Sequence, residues 1–584
     1  MLSKLTEFAV RGSTFSGVLM LVIPYFKSED RAAGRTLLAI VITLELAGVW
    51  ILVLINQWNA RFYNALQGRD WDAFVVEVGV FCALAAIYIL ISVYKLYFQQ
   101  WLEIRWRRWM TSSYLSKWLA SGTHFRMQTI GDAADNPDQR IADDIRLFVE
   151  QTVTIGIGLL GACVTLASFI AILWMLSNAA PFRVPMLDLS IPGYLVWAGL
   201  LYATVGTALT HLIGRRLIGL YFEQQRVEAD FRFTLVRVRE SSEQIALLGG
   251  EEAEKEGLLR RFARVIANWY GIMDRQKKLT FFTTSYNQAA LVFPYIVASP
   301  AYFAGLLQLG GLTQTASAFD RVQTALSFFV TTYRNLAQWR ACAERLIGFE
   351  AATVYAEASA ADPSGVAIAR SESRAVEFHD LLLRLPDGTP LVSASDISIN
   401  SGDRVLLTGP SGAGKSTLFR AIGGIWRFGS GTIVVPQSSH LMILPQRPYF
   451  PISPLKDSIS YPAPSGSFAS DDIAELLHDV GLHDLTHRLT EECHWNRMLS
   501  LGEQQRLGFV RAILERPDYL FLDEATACVD EEAESQMYQL LRLRLPNTTT
   551  VSIGHRSTLM VHHDRKLILV RDGAVHSLRE ARLS

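Results

Sequence analysis

The sequence predicts a multi-domain chain: an all-α domain of six membrane-spanning helices, followed by an α/β domain built on a largely parallel sheet. Three observations predict it. Up to about Glu350, long apolar runs alternate with polar, arginine-bearing connections; from Ser371 onward no apolar run approaches the roughly 20 residues needed to cross a bilayer. Half of the 584 residues are hydrophobic and only 19% are charged, an unusual balance for a water-soluble chain. In the last third, short apolar runs alternate with helical stretches, the pattern of parallel strands joined by crossover helices.

The spans are expected at 37–55, 74–97, 153–176, 191–213, 284–307 and 315–333, the last interrupted by Asp320 and Arg321. Ahead of them, 17–26 is a short apolar run broken by Pro24. The Lys27-Ser28-Glu29-Asp30 that follows lacks the small residues of a signal-cleavage site, so this run reads as an interfacial helix. The connection between spans two and three carries Arg105, Arg107, Arg108, Lys117 and Arg126. That between spans four and five carries Arg215, Arg216, Arg226 and Arg232. By the positive-inside rule both long connections and both termini are cytoplasmic. The expected organisation is a transmembrane domain at 1–350, an Ala- and Ser-rich linker at 351–370 and a soluble domain at 371–584.

A net charge of −1 gives no basic field, so nucleic acid is not an expected partner. Cys82, Cys163, Cys342, Cys493 and Cys528 are scattered without CxxC pairs, which argues against a disulfide framework or a zinc site.

The soluble domain carries the chemistry. Val405-Leu406-Leu407-Thr408 reads as a strand, followed by Gly409-Pro410-Ser411-Gly412-Ala413-Gly414-Lys415-Ser416 and an amphipathic helix that opens at Thr417. This is G-x-x-x-x-G-K-[ST]. Its glycines let backbone N–H groups converge on phosphates, its lysine reaches the terminal phosphates of ATP, and its hydroxyl can ligate Mg²⁺. Tyr519-Leu520-Phe521-Leu522 is a second strand ending in Asp523 and Glu524. A carboxylate there can hold Mg²⁺ and the next one can polarise an attacking water, so Glu524 is the candidate catalytic base.

Leu499-Ser500-Leu501-Gly502-Glu503-Gln504-Gln505-Arg506 precedes that strand. It resembles the signature segment of ATP-binding-cassette (ABC) transporters, usually L-S-G-G-Q, with Leu501 in place of a glycine. The resemblance implies that Ser500 and Gly502 contact the γ-phosphate of ATP held by a second copy of the chain. Gln446 then resembles the loop glutamine that touches Mg²⁺ and the attacking water. His555 resembles the switch histidine, and Asp530 the aspartate that crosses the dimer interface. The aromatic that many such domains place under adenine is absent. Leu385 occupies its position, and either apolar contact there or Phe378 from nearby is the candidate to replace it.

The membrane half extends the resemblance. Asn136-Pro137-Asp138-Gln139-Arg140-Ile141-Ala142-Asp143-Asp144-Ile145 is similar to a segment of SbmA/BacA-type and peroxisomal subfamily D transporters. Glu228-Ala229-Asp230-Phe231-Arg232 and Arg239-Glu240-Ser241-Ser242-Glu243 also look like that group. The resemblance implies an exporter-like ABC fold, a homodimer in a bacterial inner membrane in contact with lipid, and uptake of peptides or bulky hydrophilic compounds. Carriage of fatty acid or acyl-CoA, or a regulatory membrane-anchored ATPase, are the alternatives. Among intramembrane charges, Glu45 is expected to line a polar cavity, and Glu77 and Lys95, toward the ends of their span, either to serve a cavity or relay or to snorkel.

Overall fold

The computed structural model describes residues 14–130, 136–179, 182–184, 189–361 and 365–582. The chain divides into two compact units. One comprises Met1–Ser116 with Asp135–Ala351; the other comprises Lys117–Ala134 with Ala352–Ser584.

The first unit is helical apart from a short antiparallel ribbon, Phe182–Val184 against Leu189–Ile191. Helix α1 (Thr14–Lys27) covers the run expected at 17–26. Helices α2 (Arg31–Gly68) and α3 (Trp71–Leu119) follow; α4 (Thr123–Ile130) belongs by sequence to the second unit. A π-helical turn, Arg140–Asp144, then leads into α5 (Ile145–Ala179). Helices α6 (Tyr194–Glu240), α7 (Ser242–Leu248), α8 (Glu251–Phe303) and α9 (Leu309–Ala361) complete the unit.

Among the described residues, four helical stretches are long and apolar enough to cross a membrane: Arg31–Gly68, Trp71–Thr129, Pro137–Ala179 and Tyr194–Glu240. The spans expected at 284–307 and 315–333 lie on α8 and α9, which fall short of that standard among the described residues. Asn287, Gln288, Pro294 and Pro300 dilute the first, and Asp320, Arg321 and Gln323 the second. Helices α8 and α9 nonetheless contribute to an apolar core, with Ala298, Leu312, Ala318 and Val322 packed among Val53, Phe169, Leu173 and Leu195.

Three of the charges expected in or near the spans, Glu45, Glu77 and Lys95, have ion-pair partners. Lys95 Nζ donates to Glu45 Oε2 at 2.7 Å, and the Glu45 side chain is only 15% exposed. Arg61 Nε donates to Glu77 Oε1 at 2.8 Å. Glu45 is therefore a partner in an ion pair. Glu77 and Lys95 are held across helices rather than extended alone, because pairing offsets the cost of removing each charge from water.

In the second unit an 11-stranded sheet is built from β1 (Ala367–Ser371), β2 (Ala375–Arg384), β3 (Pro390–Ala394), β4 (Ile397–Asn400), β5 (Arg404–Thr408), β6 (Gly429–Pro436), β7 (Leu441–Leu444), β8 (Tyr519–Asp523), β9 (Thr549–Ile553), β10 (Arg565–Asp572) and β11 (Val575–Ala581). The order is β1-β6-β2-β3-β11-β10-β5-β9-β8-β7, with β4 paired to β2. The segment expected as a linker at 351–370 is largely regular: α9 runs to Ala361 and β1 begins at Ala367, while 362–364 lie outside the described residues.

Two cores flank the sheet. One packs α10 (Lys415–Ile422) under the strands through Leu418, Phe419 and Ile422. The other gathers α11 (Leu455–Ser460), α12 (Ser470–Asp479), α13 (Leu501–Glu515) and α14 (Glu531–Arg544) around Trp495, Leu507 and Phe509. Phe125 of α4 packs against the first core, to which Trp426 also belongs.

Candidate active site

Four parallel neighbours, β5, β9, β8 and β7, deliver the predicted residues to one edge of the sheet. In register, Leu407 lies beside Ile553, Ile553 beside Asp523, and Leu522 beside Leu444. The residues that leave these strand ends include Gly409, His555, Glu524 and Gln446. This carboxyl edge is where open α/β sheets bind ligands.

The loop after β5 has the backbone its glycines permit. Gly412 and Gly414 have φ of 78° and 95°, and a Cβ at Gly414 would fall 2.5 Å from Val392 and 3.0 Å from Leu391. Gly414 is also the N-cap of α10 and supplies no side chain to its first N–H groups, which stay available to an anion. Lys415 is 6% exposed, and its Nζ donates to the carbonyls of Gly409 (2.9 Å) and Pro410 (3.0 Å). Burial holds its ammonium pKa below the usual lysine range, against the opposing pull of Glu524 and Asp523. A buried cation whose hydrogen bonds go to carbonyls alone is fitted to a phosphate chain.

Ser416 Oγ donates to Asp523 Oδ1 at 2.9 Å. Burial raises the Asp523 carboxyl and the charge of Glu524 adds to the rise, while the Ser416 bond, Arg420 and Lys415 oppose it. Among the described residues no group of three or more His, Cys, Asp or Glu could hold a metal by itself. One carboxylate with one hydroxyl instead suits Mg²⁺, which takes few protein ligands and completes its shell with phosphate and water.

Glu524 sits at φ 49°, in the left-handed region, so its carboxylate leaves the strand direction at a sharp turn. Its N–H donates to Ile553 O at 3.2 Å. Gln446 Nε2 donates to Glu524 Oε2 at 3.0 Å, and His555 Nε2 lies 3.5 Å from Glu524 Oε1. Gln446 and His555 are therefore both gathered on the Glu524 carboxylate.

Ser500 is the N-cap of α13 in a reciprocal capping box. Glu503 N donates to Ser500 Oγ at 3.3 Å, and Ser500 N donates to Glu503 Oε2 at 2.7 Å. A Cβ on Gly502 would lie 3.0 Å from Cys528 O, so the small residue also permits the close approach of the 524–530 loop. Asp530 caps α14 by accepting from Ala533 N at 2.8 Å, and that backbone bond lowers its pKa. Among the described residues, the side-chain hydrogen bonds of Ser500 and Asp530 stay in these caps.

The adenine expectation requires a correction. Phe378 is fully buried in the sheet core and is not available to stack on a base. Leu385 is half-buried, packed against that same core.

Two side chains escape a reading of the sequence. Gln505, 1% exposed, binds the backbone of both Gln446 and Glu524. Arg556 donates to Val529 O at 2.7 Å and Ala527 O at 3.3 Å, beside Glu534, which accepts from Thr526 and Thr558. A polar residue on the buried stripe of a predicted helix is the signal that flags Gln505.

Residues 20–303 match the family of ABC transporter transmembrane region 2, and residues 392–527 match the ABC transporter family. An ABC transporter ATP-binding protein of Haemophilus influenzae is 36% identical over 91% of this chain and 88% of that one. The chain belongs to the ABC transporters. It is a half-transporter with membrane and ATPase regions fused in one polypeptide, and it hydrolyses ATP in a reaction coupled to transport. The inner membrane ABC transporter ATP-binding protein YddA of Escherichia coli is 33% identical over 92% of this chain and 94% of that one. ABC transporter D family member 2, chloroplastic, of Arabidopsis thaliana is 32% identical over 93% and 84%. The relationship shown is thus to YddA and to subfamily D. A bacterial Atm1-family ABC exporter with ATP bound shares the fold, with a TM-score of 0.70, 17% identity, and coverage of 93% and 95%.

Proposed function

We propose that this half-transporter works as a homodimer in a bacterial inner membrane, with two composite ATP sites, and carries a bulky hydrophilic compound such as a peptide inward. The observation that carries the dimer is the completeness of one chain's set. Lys415, Ser416 with Asp523, and Glu524 between Gln446 and His555 form one half of a site, while Ser500 and Gly502 open α13. Two identical chains then suffice, each lending its signature helix to the other's nucleotide.

In this reading the 409–416 loop and Lys415 bind the phosphates, and Thr417 extends the same helix start. Ser416 and Asp523 would hold Mg²⁺, with Gln446 beside them, and the bound ion supplies charge neutralisation on the phosphates. Glu524 accepts the proton of the attacking water, Gln446 fixes the carboxylate's direction, and His555 donates toward the developing charge. Ser500 and Gly502 close the site from the second copy, and Asp530 faces the junction.

The cargo rests on the NPDQR-containing segment and on a relative, the human lysosomal cobalamin transporter ABCD4, 23% identical over 97% of this chain, whose name specifies cobalamin, a bulky polar solute. The inner membrane in YddA's name supports the location. The test is ATP-driven accumulation of a labelled peptide in proteoliposomes whose ATPase domains face a lumen loaded with ATP and Mg²⁺. The reading expects accumulation by the wild type and none by Glu524→Gln. ATPase stimulation by acyl-CoA without peptide accumulation would replace it with lipid transport, and neither effect would indicate a regulatory ATPase.

A further inference from the structure

Gln505 stands one turn into α13, on the helix whose first residues form the signature, and its side chain is sealed from solvent. All three of its polar directions go to backbone groups of the catalytic loops. Nε2 donates to Gln446 O at 3.0 Å and to Glu524 O at 3.4 Å, and Oε1 accepts from Cys528 N at 2.9 Å. Gln446 and Glu524 are themselves joined through their side chains at 3.0 Å. One amide therefore fixes, from beneath, both ends of the hydrogen bond that aims the carboxylate. It also fixes the turn in which Glu524 holds a left-handed backbone (φ 49°), a conformation that persists in a non-glycine residue only where its surroundings hold it.

We infer that Gln505 is a positioning residue for hydrolysis: it holds Gln446 and Glu524 of its own chain, and so ties the helix that serves the partner's nucleotide to the carboxylate that serves its own. This rests on the composite-site reading above. The neighbouring Gln504 does a different task. Its Nε2 donates to Asn496 O and Leu499 O, and its Oε1 accepts from Asn496 Nδ2, so it braces the signature from the outer side. A side chain that cannot reach these partners would leave buried backbone groups unpaired.

The test uses full-length dimers carrying two different affinity tags, with Gln505→Met, which keeps side-chain length, and Glu524→Gln distributed in two ways. When both substitutions share one chain, the wild-type partner keeps its own Gln505 beneath its own Glu524. When they sit on opposite chains, the single remaining Glu524 lies in the chain that has lost its buried amide. The inference expects the opposite-chain dimer to be slower than the same-chain dimer by roughly 10–100-fold in kcat, the cost typical of losing an outer-shell partner, with the KM for ATP unchanged. Gln505→Glu, which keeps the acceptor and loses the donor, should reproduce that asymmetry. Equal rates in the two arrangements, or a slower same-chain dimer, overturn it, since a general folding defect or an effect through the signature alone gives those patterns. The same-chain dimer carries the same Gln505→Met substitution and so serves as the folding control. Composite sites are checked separately by distributing Ser500→Arg and Glu524→Gln. Activity confined to the same-chain dimer removes the two-chain reading without involving Gln505 if each chain's signature serves its own nucleotide. Activity confined to the opposite-chain dimer, in which one site keeps both a working signature and a working carboxylate from different chains, supports it.

Discussion

Gln446 Nε2 and Glu524 Oε2 meet at 3.0 Å although 78 residues separate them in the chain. They meet because β7 and β8 are parallel neighbours whose carboxyl ends fall at the same level of the sheet, Leu444 beside Leu522. The glutamine gives the carboxylate a direction without neutralising it, as a base for water requires.

Glu524→Gln removes the proposed base while keeping the shape of the side chain. The expected outcome is a fall in kcat of about 10²–10⁴-fold, with the affinity for ATP kept. Phosphate release and binding of a fluorescent ATP analogue, measured on the same preparation, check it. A fall in affinity matching the fall in kcat would mean that Glu524 serves binding rather than chemistry.

Asp523 gives a stability prediction with a definite sign. Burial raises its carboxyl above the unfolded value, so its favourable contribution is complete below the ordinary carboxylate range and is lost as pH rises through the raised value. Well above that value the ionised Asp523 is therefore a cost to the nucleotide-free fold. Asp523→Asn should raise the Tm of nucleotide-free protein near neutral pH by about 1–3 °C and should abolish the further rise given by Mg²⁺ with ATP. The gain should shrink as the pH is lowered toward the carboxylate range. Thermal melts from roughly pH 4, close to the ordinary aspartate value, up to neutral pH decide it.

Base discrimination should be weak. Leu385 offers apolar contact but no ring face, and Phe378 is locked in the core. Comparable kcat/KM for ATP and GTP is the expected result. Leu385→Tyr should shift preference toward ATP through a stacking contact of about 1 kcal/mol, a change of about fivefold, and unchanged selectivity would show that adenine is held elsewhere.

The Glu45–Lys95 pair predicts non-additivity. Glu45→Gln or Lys95→Met alone should each be destabilising, because either leaves a charge in the span without its partner. The double variant should be more stable than the sum of the two single losses. Chemical denaturation of the purified protein in detergent gives the coupling energy, and simple additivity would deny that the two charges depend on one another.

What the sequence reveals follows from how local each signal is. The strand, Gly-rich turn and Lys-Ser pair at 405–416 lie within a dozen residues, and the structure has β5, the loop and α10 at those places. Ser500 opening a helix is legible for the same reason, since an N-cap with Glu503 three residues on is a short-range pattern. Pairings between distant segments are not legible. Nothing near Glu45 in the chain announces Lys95, because their meeting depends on how α2 and α3 pack. Phe378 misleads because its strand β2 is covered on that side, with Val376 and Leu383 also buried, and proximity in sequence says nothing about which face a strand turns inward. Gln505 stays hidden because its role lies in backbone groups contributed by two other loops.

Phe125 comes from the first long connection, yet it packs against the core that contains Trp426 and Phe419. The boundary between the halves is therefore crossed more than once by the chain, and no single cut in the polypeptide separates them cleanly. A soluble ATPase excised from residue 352 onward would leave an apolar patch bare where Phe125 had covered it. Such a fragment would be prone to self-association, and rates measured on it would describe a protein missing part of its own wall.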